Sequence, residues 1–190
     1  EVSFNANLAS DFVFRGFSYT DNGPALQGGM DYSHDSGAYA GTWLSNLDDG
    51  TDTDYEYDLY AGYWMEVGEL EVDLGLVSYN YGDGGYDTAE AYAVITKDAL
   101  SLSVYADVDA YSTTHISAGY SASLPQEMTL DLTAGYLIDG NETWEDDIVD
   151  MTATIGKSFD VADVSLTVSN VDYTFAEDDT LVFLTVGTEF

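Results

Sequence analysis

At 190 residues and 45% hydrophobic content, the chain is sized for one domain, residues 1–190, and is too apolar for a disordered acidic tail despite a formal charge of -33. It has no cysteine, which excludes disulfides and thiolate metal sites, and its only basic residues are Arg15, Lys97 and Lys157, which excludes nucleic-acid binding by phosphate neutralisation. No apolar run approaches the length of about 18 residues that a membrane helix needs, whereas barrel strands announce themselves only by alternation. No basic, apolar leader precedes Glu1, which leaves a protein that is never exported or a mature one whose signal peptide has been removed; the expectation of an outer-membrane barrel carries the second with it, an exported protein.

Alternation of period two starts at once. Val2, Phe4, Ala6, Leu8, Phe12 and Phe14 share one face, and Ser3, Asn5, Asn7, Asp11 and Arg15 share the other, predicting a strand over 2–15. Further segments follow near 25–34, 38–47, 54–66, 69–81, 89–97, 100–112, 115–124, 128–137, 147–158, 163–174 and 180–190. The total is about twelve strands, with ten or fourteen as the alternative counts, and no stretch has helical periodicity. The 38–47 segment leaves its facing open, because Tyr39 and Trp43 compete with Ala40 and Leu44 for the apolar side.

The connections alternate too. Those at 34–37, 67–68, 97–99, 125–127 and 159–162 are tight, while 17–23, 48–53, 82–88 and 138–146 are longer and polar; the two around Thr113 and Glu177-Asp178 are short for the loop end. Short turns at one end and longer loops at the other are the arrangement of outer-membrane barrels. Ala-Gly-Tyr recurs at 61–63, 118–120 and 134–136, each time with glycine on the polar face.

Alternation alone does not say which face is inside. Twelve strands about 4.8 Å apart, tilted by about 40°, close with a backbone diameter of roughly 24 Å. Val, Leu and Ala cannot fill that interior without a plug, and no plug segment is evident in the sequence. Strands of about ten residues, tilted, span roughly 25 Å, the height of a membrane apolar band. The expectation is an all-β, transmembrane, antiparallel up-and-down barrel with its apolar face outward.

Ser10-Asp11-Phe12-Val13-Phe14-Arg15-Gly16, then Pro24-Ala25-Leu26-Gln27-Gly28-Gly29 and Asp31-Tyr32-Ser33-His34, resemble the TorF-type porins of proteobacteria. Gly37-Ala38-Tyr39-Ala40-Gly41-Thr42-Trp43, Asp58-Leu59-Tyr60-Ala61-Gly62-Tyr63 and Glu90-Ala91-Tyr92-Ala93 continue the likeness. Phe190, behind Val182, Leu184 and Val186, looks like the C-terminal signal of outer-membrane proteins. The resemblance implies an outer-membrane location, a barrel fold and pore activity.

By parity, the pore lining comprises Asp11, Arg15, Asp31, Glu56, Asp58, Tyr60, Glu69, Glu71, Asp73, Glu90, Tyr92, Tyr105, Asp107, Asp131 and Asp150. Glu56, Asp58, Glu69, Glu71 and Asp73 are expected to make one dense carboxylate patch. A wall of one sign around a narrow aqueous path concentrates counter-ions, so a cation-preferring pore for small solutes is expected. Inward tyrosines would narrow the lumen, and Gly62, Gly75, Gly119 and Gly135 would leave room. Arg15, four residues from Asp11 on the same face, is expected to pair with a carboxylate. The expected partners are small cations or solutes, outer-membrane lipid and lipopolysaccharide.

The loops 48–54 and 139–147 have oxygen-ligand density suited to Ca²⁺ or Mg²⁺ but lack EF-hand spacing, so solvated loops are the simpler reading and no cofactor is assigned. His34 and His115 are read as loop residues without a nucleophile and orienter, so no catalytic residue is assigned. The competing reading is a structural or adhesive barrel, closed to ions, with acidic surface loops.

Overall fold

A computed structural model describes residues 1–48, 50, 53–82, 87–140, 148–172 and 179–190. Among them fourteen strands form and no helix does: β1 (Val2–Ala9), β2 (Val13–Phe14), β3 (Phe17–Ser18), β4 (Ala25–Ser33), β5 (Ala38–Asn46), β6 (Tyr55–Val67) and β7 (Leu70–Tyr81), then β8 (Thr88–Lys97), β9 (Leu100–Asp107), β10 (Thr113–Leu124), β11 (Met128–Asp139), β12 (Ile148–Ser158), β13 (Asp163–Asp172) and β14 (Asp179–Glu189). All but β2 and β3 close into one twelve-stranded barrel, each strand antiparallel to its neighbours. Strands consecutive around the wall are consecutive in the chain, and β1 meets β14 at the seam.

Residues paired across strands share a face, so the register fixes what points inward. Leu26, Leu59, Leu76, Leu102 and Val182 are exposed on the outer surface, while Ser45, Glu56, Glu90, Asp150 and Ser169 are buried inside. This is the inverse of a soluble barrel, and it satisfies the outward-apolar expectation. In β5, Trp43 pairs with Gly29 and Asp58, and Tyr39 with Gly62, which places both aromatics inside and Ala40 and Leu44 outside. Ring size does not decide facing here. The polar partners of Tyr39 and the ring partner of Trp43 lie in the lumen.

The first predicted strand is corrected. β1 ends at Ala9, and residues 10–24 turn into the barrel. There β2 and β3 pair as Val13 with Ser18 and Phe14 with Phe17, leaving Arg15-Gly16 as a two-residue turn. Arg15 (φ 50°) and Gly16 (φ 88°) are both left-handed, the geometry that hairpins of this length adopt. A plug is therefore present after all. The alternation of Phe12 and Phe14 with Asp11 and Arg15 belongs to this inward ribbon, not to the wall.

The glycines inside the wall do not simply widen the lumen. A Cβ on Gly62 would lie 2.4 Å from the ring of Tyr39, and one on Gly75 would lie 2.4 Å from the ring of Tyr92. Each tyrosine is the direct cross-strand partner of its glycine, so the ring lies flat on the strand that lacks a side chain. Gly41 receives Tyr60 in the same way. Gly62→Ala and Gly75→Ala are each expected to destabilise the barrel by about 1–3 kcal/mol through overpacking, read as a lower temperature for conversion of the folded gel band.

Candidate functional site

The hairpin is held on every side. Asp11, buried at its base, accepts hydrogen bonds from Ser18 Oγ (2.6 Å) and Thr20 Oγ1 (2.9 Å), while Phe12 N donates to Thr20 Oγ1 at 2.9 Å. The backbone of Asp48 donates to Tyr19 O at 2.9 Å. Phe12 meets Trp43 edge-on at 5.1 Å, and Phe14 lies 5.9 Å from Tyr79. Phe17 packs on an inward apolar cluster of Leu137, Ile148 and Val171. Gly16 passes so close to that wall that a Cβ there would lie 2.6 Å from Val171 Cβ.

From the same turn, Arg15 reaches the other way. Nη1 and Nη2 donate to Glu90 Oε1 and Oε2, both at 2.8 Å, and Tyr79 Oη donates to Glu90 Oε2 at 2.8 Å. The guanidinium also lies over the rings of Phe14 (4.7 Å) and Tyr105 (5.5 Å). Glu90 is on β8 and Val171 on β13, five strand steps apart in a ring of twelve, so the hairpin crosses the lumen. Both anchors sit near the strand ends that join the longer loops, so the crossing lies at the loop end.

Below it is a cavity of about 520 Å³, with Phe14, Arg15, Tyr79 and Tyr105 in its wall beside Asp58, Tyr60, Tyr92, His115 and Asp150. A second cavity of about 380 Å³ lies between the turn-end halves of β1 and β11–β14.

The expected lining residues separate by height and by partner. Arg15 pairs with Glu90 and not with Asp11, because the ribbon carries Asp11 to its base and Arg15 to its tip. Asp31 accepts from Tyr60 Oη at 2.5 Å, and Asp73 from Tyr39 Oη at 2.6 Å, whose oxygen also lies 2.5 Å from Tyr92 Oη. Tyr92 stacks on Tyr105 at 5.1 Å. Asp131 accepts from Ser121. Asp107 ends β9, where it accepts from Thr88 and from the backbone of Asp109, Tyr111 and Ser112, tying down the connection to β10.

The single carboxylate patch does not form. Glu56 and Asp58 are neighbours on the inward face of β6 near the loop end, with Tyr81 opposite Glu56 in register. Glu56 pairs with Tyr81 in register, ten residues along β7 from Glu71, a separation of roughly 33 Å at strand rise. Asp73 is nearer the turn end. Glu69 is in the β6–β7 turn, where Lys97 Nζ donates to it at 2.7 Å and both are exposed.

His115 is also corrected. It is an inward residue of β10, buried in the wall with Nε2 2.7 Å from Asp150 Oδ2. Its alternation with Ile116 carried that signal, but the break after 112 disguised it as a loop. His34 does lie in a turn, with Nδ1 2.9 Å from Ser36 Oγ. Among the described residues no cluster of three or more metal-ligating side chains occurs. Most of the two loops considered for Ca²⁺ or Mg²⁺ lies outside the described residues.

This geometry defines the protein as a closed antiparallel barrel of outer-membrane type with an inward hairpin. Solved structures share that fold: a structure described as "KdgM porin" matches with a TM-score of 0.68 at 9% identity, covering 99% of this chain and 98% of that one. One described as a NanC porin matches at 0.66 and 9% identity, with 98% of each chain covered. LpxR from Salmonella typhimurium matches at 0.55 and 11%, with 99% of each covered. The chain belongs to the family described as "Bacterial protein of unknown function (Gcw_chp)", which matches residues 1–184. Comparison with curated proteins finds no match.

Proposed function

We propose that the protein is an outer-membrane porin that passes small solutes and favours cations. The observation that carries this reading is how the inward charges are partnered. Asp31, Asp73 and Asp131 receive hydroxyl donors, which orient a carboxylate without cancelling its charge, whereas the guanidinium of Arg15 is already matched by Glu90. The lumen therefore keeps a net negative wall, which raises the local concentration of cations. The porin neighbours and the N-terminal likeness to TorF-type porins support the same reading. That likeness runs through Ser10 to Gly16, the residues that enter the hairpin. The turns would face the periplasm and the loops the exterior, with outer-membrane lipid and lipopolysaccharide around the apolar band.

In a planar bilayer under a salt gradient, the reversal potential is expected to take the cation-selective sign. Asp31→Asn with Asp73→Asn should move it toward zero; an anion-selective potential in the parent protein would refute the reading. One observation favours a barrel closed at rest, namely the hairpin across the loop end. In that case the parent protein shows little conductance and the hairpin variants discussed below conduct.

A catalytic role is not part of the proposal. His115 and Asp150 resemble a base and its orienter, but the nearby hydroxyls of Ser103 and Ser117 are bonded to one another at 2.6 Å. Ester hydrolysis that disappears in His115→Ala would overturn this assignment.

A further inference from the structure

We propose that Glu90, Tyr79 and Tyr105 form a niche in the lumen wall that recognises guanidinium-bearing solutes, and that Arg15 is its tethered occupant. The inference deepens the porin reading, on which its biological meaning rests.

The niche is built for a flat, forked cation. Glu90 takes both terminal nitrogens of Arg15 at 2.8 Å, one per carboxylate oxygen, a match that a lysine ammonium cannot reproduce. Tyr79 Oη holds one oxygen of that carboxylate at 2.8 Å and so fixes its plane. The ring of Tyr105 covers the guanidinium at 5.5 Å, and Tyr92 stacks against Tyr105 to fix that ring in turn. All three are wall residues, on β7, β8 and β9; Tyr79 is bonded to Glu90 and Tyr105 is stacked on Tyr92, contacts that do not pass through Arg15.

The turn supplies an independent sign. Its first central position has φ 50°, where asparagine, aspartate and glycine are the ordinary occupants, yet arginine stands there. Local backbone preference thus works against Arg15, and the contact with Glu90 is what this position gains from it. The niche also opens on the cavity of about 520 Å³, whose wall includes Arg15, Tyr79 and Tyr105, so a solute in that cavity touches the occupied site. Asp58 and Asp150 line the same space, with Asp150 held by His115. A solute guanidinium would compete with Arg15 for Glu90, and occupancy would exchange between chain and solute.

Arg15→Asn empties the niche while giving the turn the Asn-Gly pair that its geometry prefers. Detergent-solubilised Arg15→Asn protein, shown to be folded by heat-modifiable gel migration, is titrated calorimetrically with ethylguanidinium chloride at constant ionic strength. Ethylammonium chloride is the control, and the double variant Arg15→Asn/Glu90→Gln is titrated alongside. The expected result is binding of ethylguanidinium about tenfold tighter in the single variant than in the double one, and tighter than ethylammonium by a similar factor. Equal affinity in the two variants, or no preference over ethylammonium, overturns the proposal. The titration needs no conduction, so a barrel that is silent in bilayers counts against the pore alone and leaves the niche to be judged by binding.

Discussion

Replacing residues 12–19 with a short Gly-Ser turn is expected to raise single-channel conductance several-fold. The wall leaves a backbone opening of roughly 24 Å, and inward side chains narrow it from every strand. A two-stranded ribbon about 4.8 Å between strands, with phenylalanines on it, takes up much of what is left. The hairpin reaches from Glu90 on β8 to Val171 on β13, so it obstructs the middle of the path and not merely one side. Gly16→Val should approach the same state without deletion. Its Cβ would lie 2.6 Å from Val171 Cβ, and its backbone would have to hold φ near 88°, so the hairpin cannot seat. Bilayer recordings check both. Conductance unchanged in the two variants would show that the ribbon does not limit flow.

The second large effect concerns the pair that latches the hairpin. Glu90 is buried and Arg15 largely so, with side-chain exposures of 4% and 15%. Glu90→Leu strands a guanidinium in the lumen wall, a change that typically costs about 3–5 kcal/mol for a buried pair. The hairpin gives way before the barrel does, because releasing it returns the charge to water. The expected result is rapid proteolytic cleavage within residues 10–24, with the folded gel band retained. Adding Arg15→Met removes the stranded charge and should restore most of the protection, since buried ion pairs are commonly replaceable by apolar residues of similar size. Cleavage that stays fast in the double variant would mean that the hairpin requires the ion pair itself.

Much of the wall was legible in the sequence because a strand with one face in lipid and one in water repeats every two residues. The segments at 69–81, 128–137 and 163–174 show this plainly, and their registers place Leu74, Leu132 and Leu166 outside as alternation implies. Parity predicts a side, however, and not a height or a partner. Glu56 and Glu71 share a face but occupy opposite ends of the barrel, so the patch drawn from parity dissolves. The hairpin escaped because its own alternation continues that of β1 without a break in phase. One sign in the sequence did mark it: Ser10 stands on the apolar parity and Val13 on the polar one. The Arg15–Glu90 contact spans 75 residues, and no local pattern could have revealed it. Facing in β5 was undecidable for a related reason: Tyr39 and Trp43 find polar and aromatic company inside that only the neighbouring strands supply.

The seam between β1 and β14 bears on how the molecule comes together. Every wall strand but the two at the seam finds both wall neighbours next to it in chain order, whereas β1 must wait for β14. Joining them closes a loop of nearly the whole chain, a logarithmic entropy cost of about 4–5 kcal/mol. Only five residue pairs form in that ladder, against eight between β1 and β4. The stacked rings of Phe4 and Phe190 and the exchange of backbone bonds between those residues extend it at one end, while Ser10 bonds to Leu184 at the other. Ser10 is also where the chain leaves the wall for the hairpin. The glutamate that receives Arg15 is on β8, but the apolar seat for Phe17 is contributed by β11–β13, which are among the last strands made. Ring closure and docking of the ribbon both wait on late strands, and the shortest ladder in the wall lies where the chain leaves it for the plug.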